Sequence, residues 1–137
     1  MIKDMITEDY CSFEVAKLLK EKGFKIDTNR DYWKISEDGT MYFMSSIGAY
    51  TSNPNEVYAI YRPENSYPCP TLQMAMKWLR EVHLQHIQIS YLHGAYREYE
   101  YAVINTFNGK AYHEPVSFSS YKEAVEAALK YTLENLI

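Results

Sequence analysis

Polar and apolar residues alternate along this chain with two periods, one near 3.6 and one of 2, and the changes between them mark the elements. From Tyr10 to Lys22, apolar Phe13, Val15, Ala16, Leu18 and Leu19 fall on one side, and Glu14, Lys17, Lys20 and Glu21 on the other. That spacing predicts an amphipathic helix over 10–22. Asp9 or Ser12 is placed to cap its start, and Gly23 to end it in a left-handed conformation. A second helix is predicted over 71–84. Its buried stripe is Leu72, Ala75, Met76, Leu79 and Val82, with Trp78 at the border, and Tyr67-Pro68-Cys69-Pro70 holds the chain extended before it. A third spans 120–136. Lys122, Glu126, Lys130 and Glu134 repeat every four residues on its wet face, and Val125, Ala128, Leu129 and Leu136 line the other. Ser120 and Glu123 have the spacing of a capping box.

Between the helices the period falls to two. Asp38-Gly39 predicts a tight hairpin turn that sets Ile35 opposite Tyr42 and Trp33 opposite Met44, a first core cluster. A third strand is predicted over 57–62, after a loop from Ser45 to Glu56. A meander follows over 86–93, 98–107 and 110–116. Its Asn108-Gly109 turn sets Asn105 opposite Tyr112 and Ile104 opposite His113. The expected fold class is α+β, a single domain over 1–137 with antiparallel sheets and three helices in the order α-β-β-β-α-β-β-β-α. The phrases Ala16-Lys17-Leu18-Leu19-Lys20-Glu21 and Met76-Lys77-Trp78-Leu79-Arg80-Glu81 are faintly alike, so an internal duplication of 8–66 and 67–137 is a further expectation.

Composition narrows the function more by exclusion than by signal. The 137 residues are 47% hydrophobic and 23% charged, enough apolar material for a folded core. The formal net charge of -4, with only Arg30, Arg62, Arg80 and Arg97 as arginines, disfavours polyanionic partners. Cys11 and Cys69 are too few for a disulfide framework. The polar start is unlike a signal peptide, and no apolar run has the ~20 residues of a membrane span, so the expected location is cytoplasmic with no membrane partner.

Candidate chemistry is sparse. His83, His86, His93 and His113 lack the Cys or carboxylate companions and spacing of a metal site, so no metal and no cofactor are expected. Cys69 before a helix start, or a histidine, is the enzymatic alternative, with the Glu98 and Glu100 carboxylates a weaker acid/base or cation-binding option; phosphate loops, nucleophile elbows and zinc motifs are missing. Glu98 and Glu100 alternate with Tyr99 and Tyr101, as on a strand with one wet face. The unusual figure is 14 tyrosines. Tyr91, Tyr96, Tyr99, Tyr101 and Tyr112 gather in the meander and are the candidate protein-contact residues, because such rings give large contact area at low entropic cost.

Two resemblances add to this. The stretches from Asp9 to Phe24, from Pro70 to His83 and from Tyr121 to Ile137 resemble a family of small uncharacterised proteins of gut Bacteroidales and their phages and mobile elements. That resemblance implies a cytoplasmic accessory or phage-linked protein, without assigned activity or catalytic residues. Residues 71–135 are similar in element order to a double-stranded RNA-binding domain, and Ser119-Ser120-Tyr121-Lys122-Glu123-Ala124 is similar to the start of that family's second helix. This implies an RNA-binding alternative, in which a basic cluster at that helix start reaches phosphates. Here Lys122 stands among Glu123 and Glu126. The sequence therefore favours a small non-enzymatic accessory protein that binds another, unidentified protein.

Overall fold

Ser12 opens the first helix by accepting the Val15 N–H on its hydroxyl at 3.3 Å, which satisfies one of the four free donors of a helix start. The computed structural model describes residues 6–28, 30–34, 41–45, 66–94 and 98–137, of which 33, 34 and 41–45 as backbone only. Helix α1 is Phe13–Glu21 and buries Val15, Ala16 and Leu19. Gly23, at φ +94°, ends it. Its N–H reaches the Lys20 carbonyl and the Phe24 N–H the Leu19 carbonyl, the two bonds of a Schellman motif.

Strand β1 (Arg30–Lys34) lies between β2 (Met41–Ser45) and β3 (Ser66–Pro68), both antiparallel to it. Trp33 faces Tyr42 and Lys34 faces Met41, so the hairpin is slipped by two residues from the expected Trp33–Met44 pairing. A slip of two preserves the alternation, because side-chain period is also two. The Asp38-Gly39 turn, Ile35, the loop after Ser45 and the predicted strand 57–62 lie outside the described residues. The third described strand is Ser66–Pro68, where Tyr67 pairs with Tyr32. Phe13 of α1 meets both rings edge-on, at 5.7 and 5.1 Å, so α1 is held to Tyr32 and Tyr67, the positions alternate to Trp33. Lys20 completes this contact: its Nζ sits 4.6 Å from the Tyr67 ring centre and donates to the Ser66 carbonyl at 2.7 Å.

The second part of the chain is built on α2 (Leu72–Val82), β4 (Gln85–Leu92), β5 (Glu98–Asn105), β6 (Ala111–His113) and α3 (Tyr121–Tyr131), which runs on as a π-helical turn over Thr132–Leu136. Thr71 caps α2 by accepting the Met74 N–H at 3.1 Å. The stripe Leu72, Ala75, Met76 and Leu79 is buried as its spacing predicts, and Trp78 joins it. Val82 does not: it is 58% exposed, because the helix ends there and Leu84 turns the chain at φ +59°. Helix α3 buries Ala124, Val125, Ala128 and Leu129. The buried Thr132 hydroxyl then bonds back to the Ala128 carbonyl at 2.7 Å, where the helix widens into its π-turn.

The three strands form an antiparallel meander in the order β4-β5-β6. Its second turn is not the expected two-residue one. Tyr112 faces Val103 and His113 faces Ala102, again a slip of two. The Asn105 side chain accepts the N–H groups of Phe107 and Asn108, at 2.9 and 3.1 Å, and holds a four-residue loop that closes through Gly109 at φ +76°. The fold is thus α+β, with three α-helices and two antiparallel sheets among the described residues, and these elements follow the expected order. The chain divides into two compact units, Ser12–Pro70 and Met1–Cys11 with Thr71–Ile137. Among the described strands the first of the three is central in one sheet and the second in the other.

Candidate protein-contact surface

On β5 the residues Tyr99, Tyr101 and Val103 share one face of the sheet, and Glu98, Glu100 and Ala102 the other. The register with β4 adds Ile87, Ile89 and Tyr91 to the tyrosine face, and β6 adds Tyr112. Helix α3 covers that face: Tyr121 meets Tyr99 edge-on at 6.1 Å, and Tyr131 lies on Tyr112.

The five tyrosines singled out by the sequence separate under this cover. Tyr101 is a core residue, 1% exposed, beside Ile87 and Val103. Its hydroxyl donates to the Glu114 carboxylate, and its ring stacks on Phe118 at 6.0 Å. Burial, with that carboxylate second, pushes the phenol far above its ordinary range. Tyr112 is half-buried, and a hydroxyl bond with Tyr131 raises its pKa, with burial second. Tyr91 and Tyr99 face each other across β4 and β5 with ring centres 5.3 Å apart; Tyr91 is 49% exposed and Tyr99 half-buried. Tyr96 lies outside the described residues.

Tyr91 and Tyr99 are two links of a longer aromatic run. His93 approaches Tyr91 at 6.5 Å, and Tyr121, 40% exposed, continues from Tyr99. The Tyr121 hydroxyl accepts from the Gln73 side chain at 3.3 Å. It lines an open groove of about 220 Å³ with Ile6, Asp9, Leu72 and Gln73 among its neighbours. Ile6 at the rim is 93% exposed. Sequence reasoning passed over Tyr121 and Ile6. The available signal was Tyr121 in the first turn of an amphipathic helix, directly after its cap, where a side chain is seldom covered by its own helix.

The candidates for chemistry are spread apart. Cys69 and Cys11 are buried and form no disulfide, and the Cys69 N–H is held by the Arg30 carbonyl and the Thr28 hydroxyl. A fully buried thiol offers no approach to a substrate. His83 sits edge-on to Trp78 at 4.6 Å, and its buried Nε2 has no hydrogen-bond partner among the described residues. His113 pairs with Glu100 at 3.2 Å on the face away from the helices. Among the described residues no three His, Cys, Asp or Glu side chains gather as a metal site would require. No described helix is long and apolar enough to cross a membrane.

Fold and surface together define a small α+β protein whose most distinctive patch is a half-exposed aromatic run ending in a shallow groove. No protein-family model, curated protein or solved structure matches the chain.

Proposed function

We propose that this is a small non-enzymatic accessory protein that works by binding another protein, in the cytoplasm and in association with phage or mobile elements of Bacteroidales. The observation that supports binding is the run Tyr91–Tyr99–Tyr121, with two of its rings at least two-fifths exposed and the groove at its end. Exposed aromatic rings backed by packed ones resemble interface anchors, which desolvate much area while losing few rotamers. Affinity capture from the native host, wild type against Tyr91→Ala/Tyr121→Ala, tests it. One partner retained by the wild type and lost by a folded double variant is the expected result. Equal capture by both removes the surface from the proposal.

The order α2-β4-β5-β6-α3 favours one second reading, binding of duplex RNA by this unit. Lys122 with Glu123 and Glu126 weighs against it on charge. Salt-dependent retention of an RNA duplex in a gel-shift assay would put RNA in place of the protein partner.

A further inference from the structure

The sheet of the second unit has two edges, and they differ. At one, β6 is three residues long, is flanked by Lys110 and Glu114, and meets Pro115 two residues beyond its end. Phe118 extends the cover, exchanging both backbone bonds with Tyr99 at 2.7 and 2.8 Å. Short strands, charges and proline are the usual protections of an exposed edge. At the other, β4 is eight residues, Gln-His-Ile-Gln-Ile-Ser-Tyr-Leu, without proline and without Asp, Glu, Lys or Arg.

The backbone of that edge can be assigned. The Leu84 carbonyl accepts the Thr106 N–H at 2.9 Å in the register that continues Gln85–Asn105. In an antiparallel ladder bonded pairs alternate, so His86, Gln88, Ser90 and Leu92 bond to β5. The Asn105 N–H agrees, turning the other way to the Lys110 carbonyl. Gln85, Ile87, Ile89 and Tyr91 therefore aim their N–H and C=O groups out of the sheet. Among the described residues, nothing bonds to them.

We propose that this edge pairs with β4 of a second copy of the chain, antiparallel about a two-fold axis, to join two three-stranded sheets into one of six strands. Self-pairing sets a strand against its own sequence, so any charged residue near its middle meets its own sign; β4 has none. A two-fold axis normal to the sheet keeps each face with its like, which requires paired positions of equal parity. Centred on Ile89, the pairing sets Ile87 against Tyr91 of the copy and Gln88 against Ser90 of the copy. Ile87 is already buried within the chain, so on the helix side the half-buried Ile89 meets its copy across the seam, and the half-exposed Tyr91 lies beside it. This contact uses the backbone edge and shares only Tyr91 with the aromatic run proposed above; Gln88 and Ser90, which its test changes, lie on the opposite face of the sheet.

Sedimentation of the full chain, with circular dichroism as the control for folding, is the test. The wild type is expected at twice its chain mass of 16.1 kDa. Gln88→Lys/Ser90→Lys sets like charges across the seam and is expected to return to the single mass. Gln88→Glu/Ser90→Lys sets opposite charges across it and is expected to keep the doubled mass. Amide exchange in the wild type should slow at Ile87, Ile89 and Tyr91 as concentration rises. A wild type that sediments as one chain at ~100 μM, where a dimer of micromolar affinity would be full, overturns the proposal. So does a doubled mass in the lysine pair or a single mass in the Glu–Lys pair. A strand donated by a different protein would show as a single-chain wild type that doubles its edge protection only when that protein is added.

Discussion

Tyr112 lies flat on Tyr131, their ring centres 3.9 Å apart and their planes 8° from parallel. One residue comes from the three-residue edge strand β6 and the other from the last turn of α3. The pair fastens the least supported strand of the sheet to the helix above it. Replacing each ring by Ala, singly and together, should give a double-mutant cycle with favourable coupling; additive losses would mean that the stack contributes nothing of its own.

The same pair sets a pH dependence. Bonding to Tyr131 raises the Tyr112 phenol above its ordinary 10.0. A raised folded-state value means that the contribution is whole below the unfolded value and is lost as pH rises through the folded one. Absorbance titration should show a tyrosine that ionises late in the native protein and in step with the rest after unfolding. Tyr131→Phe should remove the delay assigned to Tyr112.

Tyr101→Phe removes the hydroxyl that donates to Glu114 while keeping the buried ring. The expected loss in chemical denaturation is about 1 kcal/mol, and Tyr101→Ala, which opens a cavity, should cost about 3–5 kcal/mol. Equal losses from both would move the weight from packing to the hydrogen bond.

Ser120 accepts the Glu123 N–H at 3.1 Å, while the Glu123 carboxylate takes the Ser119 hydroxyl at 2.7 Å. The expected capping box is therefore half formed, with Ser119 in place of the reciprocal backbone donor. Ser120→Ala should destabilise by about 1 kcal/mol and Ser119→Ala by a few tenths at most. A larger loss from Ser119→Ala would identify it as the true cap.

Gly23 at φ +94° is the left-handed residue of the Schellman motif. A side chain there meets no atom, so the cost of Gly23→Ala is conformational, about 1 kcal/mol. A neutral result would show that α1 can end without this turn.

Asp31 is half-buried on β1. Burial raises its carboxyl above the ordinary 3.8; the Thr28 hydroxyl offsets part of that and Asp27 adds to it. Because the folded value is the higher, stability is favoured below the unfolded value and declines as pH rises through the folded one. Asp31→Asn should be more stable than wild type at pH 7 and lose that advantage below pH ~4. A variant that is less stable at pH 7 would mean that the charged carboxylate has a favourable role.

The sequence by itself determined what depends on neighbours along the chain. The three helices, their caps at Ser12 and Ser120 and the stop at Gly23 are local events, legible from spacing and side-chain type. So is the alternation that puts Tyr99 and Tyr101 on one face of β5. Only the tertiary structure decided what depends on distant atoms. Both hairpins slipped by two residues; in the second the Asn105 side chain bonded into the turn and enlarged it, a choice that leaves parity, and hence the pattern read from sequence, unchanged. Whether a tyrosine is core or surface followed from where α3 lies on the sheet. Tyr101 is sealed beneath the helix, Tyr91 is left half-open near the edge, and Tyr121 joins it from a helix 30 residues further along the chain. Periodicity gives a residue its face; which partner covers that face is set by packing between segments remote in sequence, and no local pattern encodes it.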